Sequence, residues 1–386
     1  MPTGYFPPSA AGRFGSIPGY QLLLPANSPG LPDSGPCLLT AGSSIMTTQK
    51  HFHTIIIGAG PGGLTCASLL AEKGRDVLLL ERNSRIGPKV CAGGVTWSGL
   101  ARHLPDELIE KPFSSQHIRS GLQQTVISSP APIISTINRE SLGRWMAEKA
   151  RCAGATILTG SPVTAITDRE VRTRSCRYTY DFLVGADGSS SLVRRFLQVP
   201  TTYIGTGIHY QVPGNFKEMV WHLDPAQFAT GYGWIFPHKN WASVGAYASN
   251  SAMAPKKLEE KLHQWMGKHD MNRKGLKPRA ALINFDYRGY RFGTRFLVGD
   301  AAGLASGLTG EGIYPAVCSG ETVARTIIDP AYRDTKLARL ISKQQRHNRL
   351  LRLCGGNNYF ARFVVESLVA ALRLRLIHFS ALEMGE

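Results

Sequence analysis

His53-Thr-Ile-Ile-Ile57 runs directly into Gly58-Ala-Gly60-Pro61-Gly62-Gly63. The first five residues are a short apolar run suited to a buried parallel strand. Leu64, Ala67, Leu70 and Ala71 follow at helical spacing, and Gly74 supplies a stop just past the helix end. Val77-Leu-Leu-Leu80 then reads as a second buried strand, so the segment predicts a β-α-β unit. Within the turn, Gly58 permits the sharp bend, Gly60 lets the backbone approach a pyrophosphate, and Gly63 allows close helix–strand packing. The helix that starts at Pro61 offers N–H groups from Gly62 onward, and a positive dipole end, to phosphates. A lone G-x-G-x-x-G is weak. Here a strand precedes it, a helix follows, and Glu81 and Arg82 close the second strand roughly 20 residues on. An acid at that place accepts hydrogen bonds from ribose hydroxyls and repels a 2′-phosphate, which favours NAD or FAD over NADP.

Outward from this unit, the 386-residue chain is 43% hydrophobic with 41 glycines and 23 prolines, enough for a sizeable core with many tight turns. No apolar run reaches the roughly 20 residues of a spanning helix. The chain is therefore expected to be soluble or to lie on a membrane surface. The seven cysteines, at positions 37, 66, 91, 152, 176, 318 and 354, never form C-x-x-C. Neither a zinc site nor a disulfide framework fits them, no metal is expected, and a reducing cytoplasm is the natural location. A formal charge of +17 points to anionic partners. No nucleic-acid module or aromatic–basic array accompanies it, so anionic lipid or a small anion is expected instead. Residues 1–50 are rich in Pro, Gly and Ser, lack periodicity, and read as a disordered extension.

Two later motifs decide which dinucleotide is meant. Val184-Gly-Ala-Asp187-Gly188-Ser-Ser-Ser191-Leu-Val-Arg194 resembles the G-A-D-G-x-x-S-x-V-R segment of flavoprotein hydroxylases and reductases. Phe296-Leu-Val-Gly299-Asp300-Ala-Ala-Gly303 resembles their G-D-A-A segment. With the first turn, their order and spacing resemble the FAD family typified by para-hydroxybenzoate hydroxylase. That resemblance implies FAD and an α/β fold: a Rossmann-type domain interrupted by a β-sheet substrate domain, with C-terminal helices. It sets Asp187, Gly188, Gly299 and Asp300 against the cofactor, Asp300 at the ribityl or ribose region. The turn Ser306-Gly-Leu-Thr-Gly310-Glu311-Gly312 is implied to lie beside the pyrimidine edge of the isoalloxazine. Glycines there admit the ring, and the following helix dipole favours negative charge on reduced flavin. Glu311 reads as a first-turn carboxylate of that helix. The family also places Arg139 on the phosphate or adenine side and the backbone of Val163 at the adenine.

Two segments resemble one branch, the geranylgeranyl reductases. Tyr232-Gly-Trp234-Ile-Phe236-Pro237 matches their Y-x-W-x-F-P signature, and Lys89-Val-Cys91-Ala-Gly93-Gly94 resembles their K-P-C-G-G segment. Val90 replaces the usual proline, Ala92 is an extra residue, and Ala229 stands where a proline often precedes Tyr232. The resemblance covers about residues 52–330. It implies an FAD-dependent oxidoreductase that reduces carbon–carbon double bonds of an isoprenoid or prenyl-lipid substrate, with Cys91, Tyr232 and Trp234 as catalytic candidates. Read from the residues alone, the alternation puts Tyr232, Trp234 and Phe236 on one strand face, which suits either a tunnel wall or ordinary core. Cys91 reads either as a group over the flavin ring or as a small buried cysteine.

An isolated double bond offers no carbonyl to polarise, so catalysis rests on positioning, exclusion of water and a nearby proton source. No second nucleotide unit is present, so electrons are expected from transient NAD(P)H or a carrier such as reduced ferredoxin. A flavin monooxygenase or halogenase of the same superfamily is the enzymatic rival, and a prenyl-binding flavoprotein without turnover is the non-enzymatic one. Halogenases favour W-x-W-x-I-P at the aromatic signature. His209, His222 and His238 attract no role. The expected division is an FAD domain from residues 51–105, 136–198 and 290–330, a substrate domain from 106–135 and 199–289, and basic helices over 331–386. Those helices set arginines among leucines, as suits an anionic membrane surface or a solvated face packed on the FAD domain. Location is expected to be cytoplasmic, with peripheral membrane attachment as the alternative.

Overall fold

The computed structural model describes residues 49–385, so residues 1–48 of the expected N-terminal extension lie outside it. Strand Gln49–Ile57 becomes buried over its second half, where its apolar run begins. It pairs in parallel with Val77–Leu80 on one side and Arg177–Gly185 on the other. Thr156–Leu158 and Arg295–Leu297 extend this parallel sheet at its two flanks, and short antiparallel strands complete it. Parallel strands covered on both faces read as near-continuous apolar runs, and Val77–Leu80 is buried at all four positions.

Helix Pro61–Glu72 lies between Arg139–Cys152 and Ile313–Ile328. Small residues bring it close to the latter: a Cβ on Gly320 would stand 2.2 Å from the Gly62 carbonyl oxygen. Gly58 holds φ at +104°, a region that excludes a bulky side chain. Asn138 caps Arg139–Cys152 by accepting from the amides of Glu140 and Ser141.

A seven-stranded sheet forms the second body of the fold. Its order is Arg279–Asn284, Ile204–Pro213, Trp241–Ser249, Tyr232–Pro237, Val220–Leu223, Ser115–Ser120 and Gln124–Ser128. Helix Pro255–Lys268 covers one face, packing Leu258, Leu262, Trp265 and Met266 on Ile208, Tyr210 and Val212. The opposite face carries Trp221, Tyr232, Trp234, Phe236 and Tyr247, joined by Val369 and Leu372 of helix Asn358–Arg373. A small sheet of Gly94–Thr96, Ile134–Ile137 and Ile109–Phe113 bridges the two bodies. Helix Thr335–Cys354 is pinned by Gln344, whose amide donates to the carbonyls of Phe285 and Gly303. Among the described residues, no helix is long and apolar enough to cross a membrane.

Candidate functional site

Both large sheets wall a cavity of about 790 Å³. Its lining gathers Gly58, Gly60, Pro61, Gly62, Glu81, Arg82, Arg139, Val163, Asp187, Gly188, Gly299, Asp300, Gly310 and Gly312, together with Cys91, Tyr232 and Trp234. Residues more than 250 positions apart in the chain thus meet around one space. Gly63 stands behind the wall, where a Cβ would lie 2.2 Å from the Gly58 carbonyl oxygen. Its part is the close packing of helix on strand. A second cavity of about 760 Å³, beside Phe216 and Met271, carries none of the candidate site residues.

The first-turn end of the cavity is built for an anion. Gly60 is the N-cap of Pro61–Glu72, no side chain caps it, and no acid stands in the first turn. Arg139 Nη1 is buried in the same wall without a hydrogen-bond partner among the described residues. Burial lowers the Arg139 pKa from its ordinary value, against the pull of Cys91 and Asp300. A desolvated guanidinium calls for an anionic partner. The Glu81 carboxylate accepts from the Ala59 amide at 2.8 Å and the Asn83 amide at 2.9 Å, which fixes it beside the turn.

The two acids of the later motifs behave differently. Asp187 turns its carboxyl to its own segment, accepting from Ser191 Oγ at 2.5 Å and the Leu192 amide at 2.6 Å. Burial raises its pKa, and these bonds oppose the rise. Arg194, 1% exposed, donates to the carbonyls of Pro200, Ala301 and Asp286. That segment is therefore largely a self-supporting brace. Asp300, by contrast, meets Lys89 Nζ at 2.9 Å and Ser189 Oγ at 3.1 Å across the cavity.

The glycine turn 306–312 is fastened from the sheet above it. Tyr232 donates its hydroxyl to the Thr309 carbonyl, and Tyr247 donates to the Gly307 carbonyl at 2.8 Å. Ser306 Oγ accepts from the Thr309 amide at 3.0 Å and contacts His347 Nδ1 at 2.9 Å. Burial, then the nearby Cys91 and Glu311, raises the Tyr232 pKa, so this phenol stays protonated. Glu311 departs from expectation. It precedes the Gly312 N-cap rather than sitting in the first turn of Ile313–Ile328. Thr96 Oγ1 donates to it at 3.0 Å and the Met384 amide at 2.7 Å, so its carboxyl joins the small sheet to the chain's last segment. Loss of hydration pushes its pKa up to about 7.

Other residues, in the wall or bonded behind it, escaped the sequence reading. His238 is buried, donates Nε2–H to the Ala92 carbonyl at 3.0 Å, pairs with Glu110 through Nδ1, and stacks on Trp241 at 3.8 Å. It thereby sets the Cys91–Gly93 loop, where the Gly93 amide reaches Cys91 Sγ at 3.4 Å. Phe379, Leu382 and Glu383 enter the lining from the C-terminal segment. Their sequence distance from every motif hid them; no local pattern marks a residue that arrives from elsewhere.

An uncapped helix start, an orphaned buried guanidinium and a glycine turn facing an aromatic wall together suit a flavin dinucleotide. Comparison with known proteins agrees. The FAD binding domain family matches residues 51–335. Geranylgeranyl diphosphate reductase of Rhodobacter capsulatus is 31% identical over 75% of this chain and 79% of that one. Digeranylgeranylglycerophospholipid reductase 1 of Methanopyrus kandleri is 28% identical over 76% and 85%. Among solved structures, a geranylgeranyl bacteriochlorophyll reductase-like protein of Thermoplasma acidophilum superposes with a TM-score of 0.67 at 19% identity, over 83% and 88%. A myxobacterial chondrochloren halogenase superposes at 0.59 with 17% identity, over 85% and 90%, and shares the fold. The chain is thus an FAD-binding flavoprotein oxidoreductase of the geranylgeranyl reductase family, within the para-hydroxybenzoate hydroxylase-like fold.

Proposed function

We propose that this protein reduces carbon–carbon double bonds of an isoprenoid chain. The observation that carries the reading is the shared cavity: the wall opposite the glycine turns is aromatic and aliphatic, from Trp221 through Tyr232, Trp234 and Phe236 to Phe379 and Leu382. Such a surface holds a hydrocarbon by burial of apolar area, without directed polar contacts. The two curated relatives named above carry prenyl substrates in their names.

The amides of Gly60 and Gly62, the Pro61 ring between them, and Arg139 would hold the FAD phosphates, Glu81 with Arg82 a ribose, Val163 the adenine, and Asp187–Gly188, Gly299–Asp300 and Gly310–Gly312 the flavin half. FAD bound there supplies, when reduced, the hydride for the double bond. The chain's own side chains do the rest. Trp234 and Phe236 orient the chain and exclude water. Tyr232 keeps its proton and holds the Thr309 carbonyl, which sets the turn beneath the substrate. Cys91, on its loop clamped by His238, shapes the cavity at the same level. Glu311, with a pKa near neutrality, can carry a proton on its carboxyl where Tyr232 cannot release one.

Electrons come from outside, from transiently docked NAD(P)H or a carrier such as reduced ferredoxin. The exposed Tyr359 and Phe363, near Arg362 on helix Asn358–Arg373, suit contact with an anionic membrane surface that stores prenyl lipid. Anaerobic reduction of the flavoprotein followed by geranylgeranyl diphosphate is the direct test. Reoxidation of the flavin with products heavier by two hydrogens per bond supports the reading. Flavin that stays reduced, or product that appears only with oxygen, overturns it.

A further inference from the structure

The cavity has a direction. Its lining crosses five neighbouring strands, from Ile283 on the edge strand Arg279–Asn284, through His209, Tyr247 and Trp234, to Trp221. Four inter-strand steps span about 19 Å. The two ends differ in exposure and in chemistry. At the far end Trp221 is 9% exposed and packs on Phe379 at 5.4 Å, with Leu382, Val369 and Leu372 behind. At the edge strand Ala281 and Ile283 line the cavity and are only partly buried, and Arg279 on the same face is exposed, so this end is the mouth.

His209 stands one strand in from that mouth and is 3% exposed. Its Nδ1 lies 2.7 Å from Ser243 Oγ, and Trp234 Nε1 lies 3.0 Å from the same oxygen. An indole N–H can only donate, so Ser243 accepts from Trp234. Its own proton then goes to His209 Nδ1, the one arrangement that leaves Ser243 satisfied. His209 consequently carries its hydrogen on Nε2, and burial, followed by Arg279 and His238, lowers its pKa to about 4, so the ring is neutral. That Nε2 is buried with no partner among the described residues. A buried donor left unpaired is costly and asks for an acceptor. The strand register sets His209 directly opposite Arg279, which puts both side chains on the same sheet face, with Arg279 exposed at the rim.

We propose that the substrate lies across the sheet with its hydrocarbon tail at Trp221 and Phe379 and an anionic, oxygen-bearing head group at the edge strand. There His209 Nε2–H donates to a phosphate oxygen and Arg279 meets its charge. The inference rests on the reductase reading and adds polarity to it. A free diphosphate and a phospholipid head group share the chemistry that these two residues recognise.

The test is equilibrium binding to the FAD-loaded full chain, read by flavin absorbance, with geranylgeranyl diphosphate, geranylgeraniol and a geranylgeranyl phospholipid as probes. His209→Phe should weaken both phosphate-bearing ligands roughly ten-fold or more. His209→Gln, which keeps an N–H donor, should recover most of that loss. Arg279→Gln is a surface change that should weaken the diphosphate several-fold in low salt and leave the alcohol untouched. Relative loss of diphosphate against phospholipid tells which source the site prefers. Unchanged phosphate affinity in His209→Phe and Arg279→Gln overturns the inference and leaves the reductase reading standing. Loss of FAD from both His209 variants also overturns it, since the donor then serves the cofactor or the fold. A wild-type chain that binds none of the probes removes the reductase reading, and this inference falls with it.

Discussion

On the side of Gly58 to Gly62 the cavity wall is main chain: turns, an uncapped helix start, and glycines at 58 and 62 with no room for a Cβ. On the side of Tyr232 to Pro237 the wall is side chain: indoles, phenols and a phenyl ring standing off a sheet. A main-chain site needs a particular backbone path, and few residues other than glycine can follow it. A side-chain site needs only bulk and apolarity, which many residues supply. The first kind leaves a sharp mark in sequence and the second a blurred one. The same contrast predicts how each wall responds to substitution.

The largest effect is expected at the backbone wall. Gly58→Val places a branched side chain at φ +104°, with its Cβ 2.4 Å from the Ala186 carbonyl oxygen. The purified variant should contain no flavin, as measured by absorbance against protein concentration. Retention of stoichiometric FAD would erase the distinction between the two walls. Arg194→Ala comes next. It leaves three buried carbonyls without their donor, and a loss of about 3–5 kcal/mol in urea unfolding is expected.

At the side-chain wall the effects should be smaller and should spare the cofactor. Tyr232→Phe keeps the ring and removes one hydrogen bond to Thr309, so flavin content should hold while turnover falls roughly five-fold, in line with about 1 kcal/mol. Trp234→Leu losing all FAD would contradict that ordering. Glu311→Gln sharpens the comparison through pH. A carboxyl raised from 4.5 to about 7 in the folded state binds its proton more tightly there than in the unfolded chain. Its contribution to stability is full below about pH 4.5 and is lost as pH rises through 7. Wild type should therefore lose a few degrees of melting temperature between pH 5 and 8, and Glu311→Gln should flatten that slope. If Glu311 also supplies a proton, the wild-type rate should fall above pH 7, and the variant should lose that limb.

This difference explains how much could be read from the residues alone. The β-α-β unit was legible because strand, turn and helix are contiguous and each obeys a local rule. The motifs at Asp187 and Asp300 were legible as a family resemblance, although spacing could not tell that Asp187 mainly braces Ser191 and Leu192. Alternation placed Tyr232, Trp234 and Phe236 on one face without separating tunnel wall from core, and all three line the cavity. His209 and His238 gave no signal because their partners, Ser243 and Glu110, lie 34 and 128 residues away. Glu311 was misplaced by one capping residue, and its true partners, Thr96 and Met384, come from opposite ends of the described chain.

Tyr232 and Tyr247 are rivets between ceiling and floor. Each reaches down from the aromatic sheet to a carbonyl of the turn 306–312, so the sheet cannot shift without tugging the peptide planes beneath it. A guest that wedges the aromatic rings apart would then be felt as a change in the dipoles facing the coloured ring system. The protein would report occupancy by its own hue, before any electron has moved.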